Sequence, residues 1–520
     1  MARTGAVLVR VFGNRRLRRA ELAFVGFSLS EYAVWTAILV YAYERGGTTA
    51  AGLIAVVQLV PAAIIAPFAA GVTDRRGGGY ALVLGYVLQA LSMGATAVAM
   101  LADGPALVVY AFAIVAASAV TLSRPAQATL ISSLAEHPDE LTGAAAVSGW
   151  IEAISALAGP ALAGIALAID GPGVVFAASA VAMAVAALEV APLRSDRGRG
   201  DDEQESLEEG VLAGIRALRS QRQARALVTL IGAEHLAIGA LDVLVVVLAI
   251  SVLGLGSPGA GYLNAAFGVG AVFGGLAGVT LATSRRVGLP LVAAALVWGA
   301  TFIGLSAVKS PAAAFVLLPL AGLCQAVLDT GGRALLVSVT PHELLARVFG
   351  VLEGVLMASL AVGSLLVPVL VAIGGVTAAL IGVAVILIAS ALLPIAGLRG
   401  LNTVAPAAAM ASVRRNPLFA ALPAPVLEAL AREVSPVTAA AGERLIVQGD
   451  DGDRFYLIVN GEFDVDIDGR FVRTLLPGEG FGEIALLREV PRTANVTART
   501  DGLLYALERE PFIDALRPAV

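Results

Sequence analysis

The chain of 520 residues is long enough for several domains, and its composition excludes an ordinary soluble protein. Hydrophobic residues make up 58% of the chain and charged residues 14%, and the mean hydropathy is +0.85; these values predict a polytopic membrane protein with a small soluble part. The net charge of −5 does not indicate nucleic-acid binding, and the single cysteine, Cys324, excludes a disulfide framework.

The first four-fifths of the chain is a series of apolar segments. Six arginines between Arg3 and Arg19 precede the first segment, which has no small-residue cleavage site and is therefore not a signal peptide. Runs of about twenty apolar residues can each cross a hydrocarbon core of about 30 Å as a helix. Twelve such spans are predicted, at 20–43, 52–72, 81–101, 106–124, 143–168, 174–193, 225–250, 261–283, 288–307, 312–332, 346–372 and 376–398.

Basic residues predict the orientation of these spans. If the N-terminus is cytoplasmic, the cytoplasmic loops carry the cluster over 194–225 and Arg75, Arg76, Arg124, Arg285, Arg286, Arg333 and Arg347. The opposite loops carry only Arg45 and Lys309. Positive charge favours the cytoplasmic side, so both ends of a twelve-span plasma-membrane protein are predicted to be inside the cell.

The two groups of six spans resemble each other in sequence. A charged central loop over 194–223 separates them. Glu31 in the first span and Glu234 in the seventh are 203 residues apart, and the same separation relates Glu140 to Glu343. Duplicated six-span halves are typical of transporters that rock around a site between the halves.

Two motifs extend this pattern. The loop AGVTDRRG (70–77) resembles the G-x-x-x-D-R-x-G signature of the major facilitator superfamily, with Ala70 in place of the first glycine. GPALAG (159–164) resembles the glycine-proline motif of its exchanging exporters. Residues 10–400 are thus similar to the multidrug- and siderophore-exporter-like branch of that superfamily. The resemblance implies a twelve-helix fold in two pseudo-repeats, an efflux antiporter, and an inner-gate role for Asp74 and Arg75.

Ionisable side chains inside the spans are candidates for function because they are costly in lipid. Glu31 and Glu234 occupy matching places, and Asp242 lies two turns beyond Glu234. These three carboxylates could accept a coupled proton, or they could hold helices together by bonding to a polar neighbour. Further acidic residues of the same kind are Glu152, Asp329 and Glu353.

Other chemistry is not indicated. His235 follows Glu234 and points about 100° away on an ideal helix, so a packing role is favoured over metal ligation. No Cys/His cluster has metal-binding spacing, and no nucleotide-cradling lysine loop or catalytic triad is present in the sequence. We therefore expect neither a metal nor an enzymatic activity, and no feature indicates an oligomeric state.

The polar end of the chain differs from the rest. After a linker over 401–415, Leu418 to Glu433 predicts a helix, and strands at 454–459 and 462–467 are separated by the hairpin-type turn Asn460-Gly461, which suggests a β-roll. FGEIALLREVPRTANV (481–496) then begins with a short helical run, whose free amides favour an anion such as phosphate. A guanidinium can add a two-pronged contact to that anion.

The same stretch resembles the phosphate-binding cassette of the cyclic-nucleotide-binding domain, over about 416–520. The resemblance implies that Glu483 binds the ribose 2′-hydroxyl and Arg492 the cyclic phosphate. Further contacts are implied for Gly482, Ile484, Ala485 and Thr493. Threonine after the arginine leaves cGMP open beside cAMP. The family also ends in a long lid helix over the base, for which the residues before Val520 are too few.

These observations predict five segments: a transporter half at 1–193, the central loop at 194–223, a second half at 224–400, a linker at 401–415 and a nucleotide domain at 416–520. The favoured function is export of a small amphipathic molecule across the lipid bilayer, regulated by cAMP or cGMP. The alternatives are a membrane-anchored nucleotide sensor that moves no cargo, a lipid flippase, or a nucleotide exporter.

Overall fold

A computed structural model describes residues 12–135, 137–193, 218, 222–282, 288–340, 344–393, 407–420, 422 and 424–516. The described residues up to 393 form one compact unit, and those from 407 form a second. The predicted central loop lies almost wholly outside the described residues. The side chains of Asp74 and Arg75 also lie outside them, although both residues are in a described helix.

The first unit consists of helices. In the described part of the chain, ten of them are long and apolar enough to cross a membrane. Many apolar side chains on their surfaces are exposed, including Leu107 at 79% and Ile373 at 77%, which suits contact with lipid. The helices are α1 Arg15–Arg76, α2 Gly78–Leu101, α3 Ala106–Leu134, α4 Pro138–Asp170, α5 Pro172–Val190, α6 Arg222–Val247, α7 Gly256–Ala282, α8 Gly288–Ala307, α9 Pro311–Val339 and α10 Leu345–Leu392.

Two of these helices contain a break at a pair of glycines. In α1 the backbone is non-helical at Gly46 and Gly47, and in α10 it is non-helical at Gly374 and Gly375. The second glycine of each pair has a positive φ, 62° at Gly47 and 71° at Gly375, which glycine adopts without steric cost. The predicted boundaries between spans one and two, and between spans eleven and twelve, fall at these breaks.

Glycines also allow the helices to approach closely. A Cβ atom on Gly270 would lie 1.7 Å from the carbonyl oxygen of Pro319, and one on Gly274 would lie 2.3 Å from that of Leu323. The α7 and α9 backbones are therefore in direct contact. Glycines four residues apart, at 270 and 274, therefore serve close packing of these two helices.

The helices of the first half, α1–α5, contact those of the second half, α6–α10. The Tyr43 hydroxyl lies 2.5 Å from that of Ser251, near the break in α1 and just beyond α6. A Cβ on Gly261 would lie 2.4 Å from the amide nitrogen of Gly164. A Cβ on Gly52 would lie 2.6 Å from Pro368 Cγ. The halves are thus joined at the end of the bundle where α1 bends and α6 ends.

Two arginines that the sequence analysis assigned to loops lie inside helices. The span predicted to end at residue 124 continues as α3 to Leu134, and the one predicted to end at 332 continues as α9 to Val339. Arg124 and Arg333 are each paired with two carboxylates, which offset the cost of a charge within an apolar helix. These two residues are therefore not evidence for orientation.

The second unit begins with helices α11 Ala407–Arg415 and α12 Ala424–Glu433. The sequence analysis placed residues 407–415 in the linker and one helix over 418–433. Instead, α11 packs Ala409 and Val413 into the core of this unit, and the chain turns at 416–420 before α12 begins. Both helices are amphipathic, so each buries one face.

Within the described part of this unit, eight short strands form two antiparallel sheets, as expected for a β-roll. The orders are β1-β8-β3-β6 and β2-β7-β4-β5. The strands are β1 Ser435–Ala439, β2 Arg444–Ile446, β3 Arg454–Asn460, β4 Phe463–Ile467, β5 Arg470–Leu475, β6 Gly480–Phe481, β7 Asn495–Ala498 and β8 Gly502–Glu508; helices α13 Glu483–Arg488 and α14 Arg509–Leu516 complete the unit.

The predicted hairpin between β3 and β4 is wrong, because these strands lie in different sheets. Gly461, with a φ of 90°, turns the chain from one sheet to the other against Gly502, and a Cβ there would lie 2.7 Å from Gly502 Cα. The hairpin in this region joins β4 to β5 through Asp468 and Gly469. Both residues have positive φ, as a two-residue type I′ turn requires.

Candidate functional site

The site in the second unit starts from the junction of β6 and α13. Phe481 pairs with Tyr456 of β3, and their rings are stacked with centroids 5.2 Å apart. Gly482 then adopts a left-handed conformation, with a φ of 94°, and Glu483 begins α13. A strand held in the sheet and a glycine turn thus set the direction of the short helix.

A cavity of about 300 Å³ lies beside this turn. All six residues predicted to bind a cyclic nucleotide line it: Gly482, Glu483, Ile484, Ala485, Arg492 and Thr493. The other lining residues are mainly apolar and include Val465, Val472 and Leu475, with Arg473 as a further charged group. The cavity therefore combines polar groups from the turn with apolar side chains from the strands.

Arg492 is the most buried of the charged groups in the cavity, with an exposed fraction of 5%. Its Nη1 donates a hydrogen bond to the Gly482 carbonyl at 3.1 Å, and its Nη2 donates to the Arg454 carbonyl at 2.8 Å. Nη2 also lies 3.4 Å from Asp453 Oδ1. The guanidinium is therefore held in position by two backbone carbonyls and one carboxylate.

The backbone of Arg492 is fixed as well. Its amide donates to the Asp450 carbonyl at 2.8 Å, and its own carbonyl accepts from the Gly449 amide at 2.8 Å. Gly449 has a φ of 93°, so the turn that makes this pairing is suited to glycine. The backbone of Gly449 and Asp450 thus positions the arginine.

Gly452 is a residue of the site that the sequence analysis did not identify. A Cβ on Gly452 would lie 2.6 Å from Ala485 Cβ and 3.4 Å from the guanidinium carbon of Arg492. The sequence signal was present in the run GDDGD (449–453), but its second glycine acquires meaning only when α13 and Arg492 are placed beside it.

Glu483, which follows the turn at Gly482, is half-buried. Its carboxylate has no hydrogen-bond partner within the part of the chain that the structure describes. Thr493 and Ile484 are exposed on the cavity, and Ala485 is buried below it. The arrangement presents a free acceptor and a fixed cation on the same cavity, which suits a ligand with hydroxyl groups next to an anion.

In the first unit, Glu31 takes part in an ion-pair cluster. Arg124 Nη2 lies 2.8 Å from Glu31 Oε2, and its Nη1 lies 2.5 Å from Glu152 Oε1. Three helices, α1, α3 and α4, are joined in this way. Glu31 and Glu152 thus connect these helices through Arg124.

The side chain of Trp35 in α1 lies beside Asp242 of α6, so these two residues meet across the two halves. A second arginine cluster lies in the second half. Arg333 Nε donates to Asp329 Oδ1 at 2.7 Å, and its Nη1 donates to Glu353 Oε1 at 2.7 Å.

Glu234 lies beside that second cluster and differs from Glu31. It is fully buried, and its Oε1 accepts a hydrogen bond of 2.9 Å from Gln325. The sequence analysis saw no cluster of metal-ligand spacing, but ligand atoms of Glu234, His235 and Asp329 lie within 4.8 Å of one another. Spacing alone could not show this, because Asp329 comes from α9.

Comparisons with known proteins identify both units. A family model described as Major Facilitator Superfamily matches residues 21–319, and one described as Cyclic nucleotide-binding domain matches residues 436–518. The cAMP-dependent protein kinase type II regulatory subunit of Drosophila melanogaster is 44% identical to this chain over 88 residues. That match covers 17% of this chain and 22% of the relative, so the chain spans about a fifth of its length.

Two solved structures are similar to about a fifth of the chain. The regulatory domain of Toxoplasma gondii PKA in a co-crystal with cAMP has 33% identity and a TM-score of 0.20, covering 21% of this chain and 43% of that one. The cAMP-bound PfPKA-R has 28% identity and a TM-score of 0.21, covering 22% and 42%. The chain belongs to the major facilitator superfamily and carries a C-terminal cyclic nucleotide-binding domain.

Proposed function

We propose that this protein is a secondary transporter regulated by cAMP, with cGMP as the second candidate ligand. The observation that carries the proposal is that Glu483 and Arg492 line one cavity of about 300 Å³ within the matched nucleotide domain. The similar protein of Drosophila melanogaster is a subunit of a cAMP-dependent kinase, which supports cAMP as the ligand here. Because Thr493 lines the cavity, cGMP remains the alternative ligand.

In the proposed complex, Arg492 and the amides of Ile484 and Ala485 hold the cyclic phosphate. Thr493 adds a hydroxyl contact, and Glu483 accepts a hydrogen bond from the ribose 2′-hydroxyl. The apolar wall at Val465 and Val472 leaves room for the base. The buried position of Arg492 supports this assignment, because a charge-assisted contact is stronger where water is excluded.

Binding is tested on the full-length protein in detergent by calorimetry with cAMP, cGMP and 5′-AMP. We expect saturable binding of a cyclic nucleotide at one site per chain and a rise in melting temperature. The linear 5′-AMP should bind more weakly, since its phosphate is not held in a ring against the ribose. If neither cyclic nucleotide gives a binding heat or a melting shift, the regulatory proposal is wrong.

For the membrane part we propose twelve spans. At 1.5 Å per residue, the 62 residues of α1 would extend roughly 93 Å, about three times the hydrocarbon thickness. We therefore infer that α1 and α10 each cross twice, with the breaks at Gly47 and Gly375 outside the core. Both termini of the protein then lie in the cytoplasm. The two transporter halves and the central loop are proposed at 1–193, 224–400 and 194–223, and the nucleotide domain is extended to begin at α11.

The cargo is proposed to be a small amphipathic molecule moved outward, with a proton taken in exchange at Glu31, Glu234 or Asp242. Each of these carboxyl groups contacts a side chain of a neighbouring helix, so a change in its protonation would alter contacts between helices. In the proposed orientation, the end at which Tyr43 meets Ser251 is the outer one. The conformation is then closed to the outside.

Regulation requires that the nucleotide bind one transport conformation more tightly than the other. A coupling of about 1–3 kcal/mol would change the equilibrium between conformations about 5- to 150-fold. Two assays test this on wild-type protein: ethidium-driven proton flux in proteoliposomes with and without cAMP, and maleimide labelling of the buried single cysteine, Cys324. A sensor that moves no cargo would bind cAMP but give no flux.

A further inference from the structure

The cluster around Glu234 has the composition of a cation site. Glu234 and His235 lie in α6, and Asp329 lies in α9, together with Gln325 and Arg333. Gln325, Asp329 and Arg333 are spaced four residues apart and therefore share one face of α9. That face meets α6 at the pair Glu234-His235.

Each of the three potential ligands is oriented by a neighbour. Gln325 donates a hydrogen bond to Glu234 Oε1 at 2.9 Å, and Arg333 donates one to Asp329 Oδ1 at 2.7 Å. His235 Nδ1 lies 3.1 Å from the Ile231 carbonyl, which makes Nδ1 the protonated nitrogen and leaves a lone pair on Nε2. A histidine ligand of a metal usually has its other ring nitrogen bonded in this way.

One further observation points to a ligand. Glu234 Oε2 is buried, the residue has an exposed fraction of 0%, and this oxygen has no hydrogen-bond partner among the described residues. An unsatisfied carboxylate oxygen in a membrane interior is unfavourable. His235 and Asp329 are only partly buried, so an ion could reach the cluster from their side.

The charges favour a divalent cation. Asp329 and Glu353 with Arg333 have a net charge of −1, even after the guanidinium has made both of its ion pairs, and Glu234 is a further acidic group beside them. One imidazole nitrogen with carboxylate oxygens suits Mn²⁺, Fe²⁺, Co²⁺ or Zn²⁺, whereas Ca²⁺ and Mg²⁺ favour oxygen alone. Two ligands of one ion lie at most about 4.4 Å apart, so a small side-chain rotation brings the three atoms into range.

We propose that Glu234, His235 and Asp329 form a binding site for a divalent first-row transition metal. The equivalent place in the first half lacks this site. There, Tyr32 follows Glu31 as His235 follows Glu234, and both neighbouring carboxylates, Glu31 and Glu152, are bonded to Arg124. The two halves have therefore diverged at matched positions.

The test uses the full-length protein in detergent after chelation, titrated with Co²⁺ alone and followed by its visible absorption. We expect one Co²⁺ per chain, displaced by Zn²⁺. His235→Tyr, which introduces the first-half residue, and Glu234→Gln should each weaken binding at least about 10- to 100-fold. Gln325→Leu should weaken it less, because it removes only an orienting hydrogen bond.

Glu31→Gln is the matched control and should bind Co²⁺ like the wild type. Melting curves of all variants establish that they are folded. If Glu234→Gln is unstable, the test relies on His235→Tyr, which changes only a half-buried residue. The proposal is overturned if the wild type shows no saturable absorption, or if the α6 variants bind as the wild type does. Equal loss in Glu31→Gln would also overturn it. The outcome does not depend on transport or on cAMP binding.

Discussion

Arg492 lies directly against Gly482: its Nη1 donates a hydrogen bond to the Gly482 carbonyl at 3.1 Å, and a Cβ on Gly482 would lie 2.7 Å from the same nitrogen. The glycine is thus required twice, once for its φ of 94° and once for the space that the guanidinium occupies. The shape of the proposed phosphate site depends on this contact.

Gly482→Ala is therefore expected to displace Arg492 and weaken cAMP binding at least about 10-fold, as judged by calorimetry on the full-length protein. Gly478→Ala is the matched control, since Gly478 has the same φ of 94° but a Cβ there would meet nothing within 4 Å. It should cost about 1 kcal/mol of stability through backbone strain and leave the affinity unchanged. Equal affinity loss in both variants would contradict the steric explanation.

Arg492→Lys should weaken cAMP binding by about 1.5–3 kcal/mol, or about 10- to 150-fold, because an ammonium cannot make the two-pronged contact. The change also leaves a backbone carbonyl without its donor, so the melting temperature without ligand should fall. Arg488→Ala removes an exposed arginine at the end of α13 and should not alter the affinity. Wild-type affinity in Arg492→Lys would refute the phosphate role.

Glu483→Gln tests the ribose contact. Wild-type protein should bind cAMP about 10-fold more tightly than 2′-deoxy-cAMP, and the variant should bind both with similar, weak affinity, since a charged acceptor is stronger than a neutral one. Glu489→Gln, which removes the exposed partner of Arg509, should retain the preference. Undiminished discrimination in Glu483→Gln would show that another group recognises the hydroxyl.

Gly261→Ala should separate the two halves of the membrane unit, because the added Cβ would lie 2.4 Å from Gly164 and 2.5 Å from the Pro160 carbonyl. Overpacking of this kind costs about 1–3 kcal/mol and should lower the melting temperature and ethidium flux together. Gly275→Ala in the same helix meets nothing within 4 Å and should have no such effect.

Arg124→Ala should lower stability by about 1–3 kcal/mol, because it leaves Glu31 and Glu152 unpaired at membrane depth; the partial exposure of Arg124 keeps the loss below that of a fully buried pair. Adding Glu31→Gln removes one of the two charges and should recover part of the melting temperature. Arg19→Ala breaks an exposed pair with Glu189 at 3.6 Å and should cost less than about 1 kcal/mol. Additive losses in the double variant would exclude coupling.

Much of the molecule could be predicted from local sequence. Apolar runs indicated the membrane helices, and the paired glycines at 46–47 and 374–375 coincide with the expected boundaries between spans. The stretch 481–496 was enough to place six residues on one cavity, because they are close together in the chain. The hairpin at Asn460-Gly461 failed, since a turn signal does not say whether the chain stays in one sheet or passes to another.

The two kinds of unit and the cassette could be recognised without a structure, because hydrophobicity and contiguous motifs are local properties that do not depend on how the rest of the chain packs. The contacts of the isolated polar residues became known only from the fold. From sequence alone, Arg124 and Arg333 were expected in loops, because the carboxylates that pair with them inside the helices cannot be recognised without the fold. The roles of Gly452 and Asp329 also depend on packing between distant segments, because a Cβ on Gly452 would clash with Ala485 and Asp329 approaches Glu234 from another helix.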